Sequence, residues 1–203
     1  MACSLTWHGH SNFRITTPET TILIDPFFDG NPASDQGSAE AGRVDLILVT
    51  HDHGDHVGQA IEISQRTGAM VLGVVDTMSA LVERGLPQDK VVNGIGINIG
   101  GTVAFREFRV TMVQAFHSSR TGVAVGYLIH RPDGHCLYHA GDTGIFSSME
   151  LLGKLWPIDL ALLPIGGTFT MDARQAAMAC RLLGCGRVTP MHWGTFPRSE
   201  EHT

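Results

Sequence analysis

Three histidines and two aspartates fall within the six residues His51-Asp52-His53-Gly54-Asp55-His56. Imidazole and carboxylate are the side chains that bind divalent first-row metals, and such groups collect at strand ends and in loops held by a rigid scaffold. The stretch directly follows the apolar run from Val44 to Thr50, which reads as a buried strand. A polar surface turn that happens to be rich in histidine is the alternative. That reading leaves unexplained why a hydrophobic strand delivers so many titratable groups to one point.

Three more ligand-type residues stand where predicted strands end. His117 follows the run 110–116, Asp142 follows 136–140, and His192 follows a strand reaching Pro190. A lone histidine or aspartate is a weak signal. Added to the first cluster, these residues complete a set of seven: His51, His53, Asp55, His56, His117, Asp142 and His192.

Short strands are predicted at Leu5–His8, Asn12–Thr16 and Thr21–Asp25, divided by Gly9 and by Thr17-Pro18-Glu19. Asp25 ends an apolar strand before Pro26, so burial and hydrogen bonding are expected of it. The segment Asp29–Gly42 reads as an irregular loop, of a length that often serves as a lid. Helical spacing runs from Val57 to Arg66, a strand from Ala69 to Val75, and a helix from an Asp76 N-cap to Arg84 before Gly85 and Pro87. Strands and glycine turns then return at Thr102–Phe105, Phe108–Ala115, Val123–Ile129 and His135–Ala140. A helix at Phe146–Lys154, a strand at Ile158–Leu163, a helix at Asp172–Leu183 and a strand at Arg187–Pro190 complete the order. Strands and helices thus occur twice, with no linker or low-complexity tract between, which predicts one α/β domain with two sheets and outer helices.

Composition narrows the functional classes. The 203 residues are 43% hydrophobic and 17% charged, with 24 glycines, as suits a globular α/β protein. A net charge of −6 argues against broad binding of nucleic acid or anionic membrane. No apolar stretch reaches transmembrane length, and the first residues lack a signal-peptide pattern. Cys3, Cys136, Cys180 and Cys185 show neither disulfide-framework spacing nor Cys-x-x-Cys, so a reducing cytoplasm is expected. Neither Gly-x-Ser-x-Gly nor a Gly-x-x-x-x-Gly-Lys phosphate loop is present.

With these motifs in place, the chain resembles the metallo-β-lactamase superfamily, and within it the metal-dependent hydrolase branch related to ascorbate-6-phosphate lactonase. The resemblance rests on Gly9-His10-Ser11, Ile24-Asp25-Pro26, Thr50–His56, His117-Ser118-Ser119, Tyr138–Gly144, Leu163-Pro164-Ile165-Gly166-Gly167 and Met191–Pro197, and so runs almost end to end. It implies a four-layer αββα sandwich carrying two divalent metal ions. Zinc suits the histidine-rich set, and manganese or iron fits the same residues. Position by position, it implies that His51, His53 and His117 hold one ion, that Asp55, His56 and His192 hold the other, and that Asp142 bridges them. Two such ions lower the pKa of water toward about 7 and polarise a carbonyl or phosphoryl oxygen, with Asp55 orienting the nucleophile or carrying a proton to the leaving group. His53 is intact where the diiron redox relatives carry glutamate, which favours hydrolysis.

The expected activity is hydrolysis of a small-molecule ester, lactone or phosphoester. A phosphodiesterase or nuclease of the same superfamily and a non-catalytic metal-binding homologue are the alternatives. No nucleic acid or membrane partner is expected, and a homo-oligomer is compatible with the sequence. Asp25 matches the superfamily's bracing aspartate, and His10 is a candidate brace or pocket wall, sharing a strand face with His8. His139 is a candidate hydrogen-bond donor to Asp142, whereas His130, His135 and His202 read as surface residues. Ser118, Ser119 and Thr168 could meet substrate, though turn chemistry explains them better. Arg120 and Arg174 are the basic groups available to a phosphorylated sugar. The last residues, Arg198–Thr203, break from the family pattern and match a sequencing adapter read in frame. They are expected to be non-native, and the natural domain longer.

Overall fold

A computed structural model describes residues 3–196. The tail at Arg198–Thr203, including His202, lies outside the described residues. Two compact units are present, the first formed by 1–98 with 119–123 and the second by 99–118 with 124–203.

The first unit holds five strands in the order β1 to β5: β1 (Ser4–Trp7), β2 (Phe13–Thr16), β3 (Thr21–Ile24), β4 (Leu46–Leu48) and β5 (Met70–Leu72). The β1/β2 and β2/β3 pairs are antiparallel, and β3/β4 and β4/β5 are parallel. β1, β3, β4 and β5 therefore run the same way. The loops that follow them, carrying His10, Asp25, the histidine cluster and Gly73, leave from one edge. Every residue of β3 and β4 is buried, as continuous apolar strands in a parallel sheet require. Leu23, Ile47 and Val71 pack with Ile63, Met78 and Leu81 of the helices α2 (Ala60–Thr67) and α3 (Val75–Glu83). Each such side chain contributes about 1.5–3 kcal/mol by leaving water.

The helix predicted from Val57 is broken into α1 (Gly54–Val57) and α2. The cause is Gly58, whose backbone turns at φ 44° against the Pro26-Phe27 segment. A Cβ there would lie 2.3 Å from the Pro26 carbonyl oxygen. Gln59 then accepts from the backbone N–H groups of Phe28 and Asp29 at 2.9 and 3.0 Å, fastening the start of the long loop. That loop is further tied by Asp29, which accepts from the Ser38 N–H and hydroxyl at 2.9 and 2.6 Å. Val74, not Asp76, is the N-cap of α3, so the predicted cap moves into the first turn.

The second unit holds six strands in the order β11-β10-β9-β8-β7-β6: β6 (Thr102–Phe105), β7 (Phe108–Gln114), β8 (Val125–His130), β9 (Cys136–His139), β10 (Leu160–Pro164) and β11 (Val188–Met191). The first three pairings, from β6 to β9, are antiparallel, and those among β9, β10 and β11 are parallel. β7, β9, β10 and β11 consequently share one direction. Helices α4 (Met149–Leu155) and α5 (Ala173–Leu183) lie in the two crossovers. Asp172 caps α5 by accepting from the Gln175 N–H at 2.7 Å, and Gly184 ends it in the left-handed conformation. His130, read as a surface residue, is half-buried against the Thr111 hydroxyl at 3.1 Å, whereas His135 is exposed.

Candidate metal centre

Ligands that follow like-directed strands emerge at the carboxyl edge of a sheet, where α/β proteins place their sites. In the first unit this edge gathers the cluster around one buried carboxylate. Asp25 is inaccessible to solvent and adopts φ 46°. It accepts from the Thr50 N–H at 2.8 Å and the Thr50 hydroxyl at 2.7 Å, and its Oδ2 lies 2.8 Å from His56 Nδ1. The Thr50 hydroxyl also contacts His51 Nδ1 at 3.0 Å. Both Nδ1 atoms face the brace, which turns the Nε2 sides of His51 and His56 toward the ligand-bearing face. Carboxylate–histidine pairs of this kind fix the tautomer and orientation of metal-binding imidazoles.

On that face His51 Nε2 lies 2.9 Å from His53 Nδ1, and the His51 and His56 ring centroids are 4.1 Å apart. Asp55 Oδ2 lies 3.1 Å from His10 Nε2 and 3.9 Å from His56 Nε2. His10 is fully buried, beyond the end of β1 and past Gly9, so it shares no strand face with His8. His8 instead packs 5.2 Å from the Phe28 ring, and burial lowers its pKa.

In the second unit, Asp142 Oδ2 lies 2.9 Å from His192 Nε2 and 3.6 Å from His117 Nε2. Asp142 and His192 are buried, and His117 is partly exposed. The supporting contacts here are mostly main-chain. The Phe116 N–H donates to the Thr143 hydroxyl oxygen at 2.9 Å, and the Gly144 N–H to the Phe116 carbonyl at 3.0 Å, tying the His117 loop to the Asp142 loop. His139 is buried, and its Nδ1 accepts from the Gly141 N–H at 3.1 Å within the turn that carries Asp142. Gly166 passes so near His192 that a Cβ would lie 2.3 Å from the His192 carbonyl oxygen.

Among the described residues five non-glycines have positive φ, and three of them, His10, Asp25 and His192, belong to these sets. Such conformations cost about 1–3 kcal/mol each and persist where surrounding structure overrides them. Strain is thus concentrated at the residues that could do chemistry.

Spacing alone did not reveal Asp52. Its carboxylate accepts from the Ser119 hydroxyl at 3.0 Å, the Arg120 N–H at 2.7 Å and the Thr121 hydroxyl at 2.7 Å. Burial pushes this carboxyl up, and the hydrogen bonds from Thr121, Arg120 and Ser119 together outweigh it, holding the group below the usual carboxylate range. Ser119 is therefore committed to Asp52, while Ser118 and Thr168 remain exposed. The missed signal was the Ser-x-Thr pair two residues beyond His117.

The donor set fits divalent cations. In each unit imidazole nitrogens and carboxylate oxygens converge, and no lysine or arginine side chain is bonded to the carboxylates of Asp25, Asp55 or Asp142 in the contacts described above. Nitrogen and oxygen donors in this combination suit zinc, manganese or iron.

Comparison with known proteins agrees with this chemistry. A family profile described as the beta-lactamase superfamily domain matches residues 20–193. A UPF0173 metal-dependent hydrolase of Nitratidesulfovibrio vulgaris is 62% identical over 203 residues, covering 100% of this chain and 85% of that protein. A relative of the same description from Lawsonia intracellularis is 49% identical, covering 99% of this chain and 87% of its own length. The solved structure of Igni18, a metallo hydrolase from Ignicoccus hospitalis, superposes with a TM-score of 0.87 at 38% identity, covering 97% of this chain and 84% of that one.

Proposed function

Because the chain belongs to the metallo-β-lactamase superfamily, has its α/β sandwich fold and is a metal-dependent hydrolase, we propose that its two ligand sets serve one binuclear centre that hydrolyses a small ester, lactone or phosphoester. His51, His53 and His117 would hold one ion, Asp55, His56 and His192 the other, and Asp142 would serve both. The observation that carries this reading is Asp142. A single buried carboxylate oxygen already gathers His192 at 2.9 Å and His117 at 3.6 Å, the two imidazoles assigned to different ions.

Two divalent ions, when bound, make water nucleophilic near neutral pH and polarise the substrate oxygen that becomes negative. The chain's own groups do the rest. Asp25 and Thr50 fix the His51 and His56 rings, so their ligand nitrogens need little reorganisation. Asp55 would accept a proton from the attacking water and return it to the leaving oxygen, and His10 Nε2 lies 3.1 Å from that carboxylate. The oxygen of water bonds to the acyl carbon or phosphorus, the bond to the leaving oxygen breaks, and the alcohol departs with the proton. Among the described residues no helix is long and apolar enough to cross a membrane. Cys136, Cys180 and Cys185 are free thiols, which supports a reducing compartment such as the cytoplasm.

The test is metal content with turnover before and after chelation, on esters, lactones, phosphodiesters, thioesters and β-lactams. About two equivalents of metal, and activity lost with them and restored by readdition, are expected. One equivalent that is indifferent to Asp142→Ala would sink the binuclear reading. Two equivalents without turnover on any substrate would favour a metal-binding role.

A further inference from the structure

The second unit carries an unusual surface at the same edge as its ligands. Phe116, immediately before His117, is 60% exposed; Phe169 is 56%, Trp193, immediately after His192, is 41%, and Phe196 is 37%. Large aromatic rings are normally turned inward, and exposed ones beside candidate ligands mark a binding surface. These rings sit on loops that the backbone locks together. The loop after β10 is closed by the Gly167 N–H donating to the Met171 carbonyl at 3.0 Å, with Phe169 between them. The Met171 N–H in turn reaches the Thr143 carbonyl at 3.0 Å, in the turn next to Asp142. Thr143 also binds the Phe116 N–H, and the Phe116 ring lies 5.3 Å from that of Phe146. The Phe116 and Phe169 loops are therefore preorganised beside Asp142.

The charge of this surface is as telling as its shape. Residues 140–148, 165–172 and 192–196 contain no lysine or arginine, and the loop 115–124 contains Arg120 as its one basic residue. Recognition of a phosphate or phosphorylated sugar calls for Arg or Lys donors or a cradle of backbone N–H groups. Arg120, in the same loop as His117, donates its backbone N–H to Asp52, and Arg174 stands on α5; both are exposed.

We infer that the substrate is a neutral carboxylic ester or lactone whose acyl portion carries an aromatic or branched alkyl group, held by Phe116, Phe169 and Trp193. This rests on the hydrolytic reading above and narrows it. The rings would bind the apolar group beside the scissile acyl–oxygen bond, which water cleaves to a carboxylic acid and an alcohol.

The test compares 4-nitrophenyl acetate, 4-nitrophenyl phenylacetate and bis(4-nitrophenyl) phosphate on the full, metal-loaded chain, with phenylacetate and acetate binding followed by calorimetry. The phenylacetyl ester is expected to exceed the acetyl ester in kcat/KM by about tenfold or more, within the range for an apolar group in a pocket. Phe169→Ala should collapse that ratio through KM and weaken phenylacetate binding, Phe169→Tyr should keep it, and Leu155→Ala, equally exposed on α4, should leave it unchanged. A preference for the phosphodiester, or equal acyl selectivity in the wild type and Phe169→Ala, overturns the inference. So does a Phe169→Ala change confined to sedimentation, which would make the rim a self-association surface. If no substrate turns over, the hydrolytic reading fails, and calorimetry still decides the rim: ring-dependent phenylacetate binding supports it, and equal binding of the two acids overturns it.

Discussion

The two edges that carry the candidate metal ligands fix their side chains by different means. In the first unit the ligands come mainly from one contiguous stretch and are aimed by side chains, with Asp25 as hub for Thr50 and His56. In the second, each ligand comes from a different strand end, and the aim is set by sheet register and main-chain ties such as Phe116 to Thr143 and Gly144 to Phe116. A six-residue loop has little register of its own, so it needs a buried carboxylate to fix its rings. Ligands separated along the chain by tens of residues are placed by the strands themselves and need only local ties.

That contrast can be broken most severely at the ligands. Asp142→Ala should lower activity by more than the ~100-fold typical of losing a supporting partner, and should reduce metal content with little change in fold. An equal loss of metal and of cooperative melting would instead make Asp142 structural. The hub comes next. Asp25→Ala strands the Thr50 N–H and His56 Nδ1 in the core, at about 1–3 kcal/mol each, and should weaken metal affinity about 10–100-fold. Thermal melting and metal titration check both, and an effect smaller than that of Thr50→Val would contradict the hub.

Gly166→Ala probes the main-chain strategy, since the new Cβ meets the His192 carbonyl at 2.3 Å. Overpacking of this kind costs about 1–3 kcal/mol. The displacement of His192 should show as weaker metal binding, measured by competition with a chelating dye. The smallest effect is expected at Asp52→Asn, which keeps one acceptor oxygen of two and should cost about 1 kcal/mol. Faster amide exchange at 119–121 would register it. The Asp52 carboxyl is held low, so its stabilisation is present above the ordinary carboxylate value of about 3.9 and lost only as pH falls through the depressed one. Exchange at 119–121 should therefore stay slow at pH 5 and rise only below about pH 4.

The histidine cluster was legible because its donors are adjacent and directly follow an apolar strand. The α/β order was legible because buried parallel strands such as Thr21–Ile24 must be apolar throughout. Boundaries were less so. The break at Gly58 follows from its close approach to Pro26, 32 residues earlier, which no local pattern carries. Asp52 was likewise obscure, and His10 was legible as a brace without its partner, since the contacts with Ser119–Thr121 and Asp55 are defined only once loops meet.

What the sequence determined by itself was the inventory of donors, the strand-end position of each and the fold class, because residue type and hydrophobic period are local properties. Tertiary structure decided the directions: which strands run alike, and so which loops leave one edge. It also decided that Asp25 bonds Thr50 and His56, and which rings stay exposed beside the candidate ligands. Those are properties of pairing and packing, set by contacts between residues far apart in the chain.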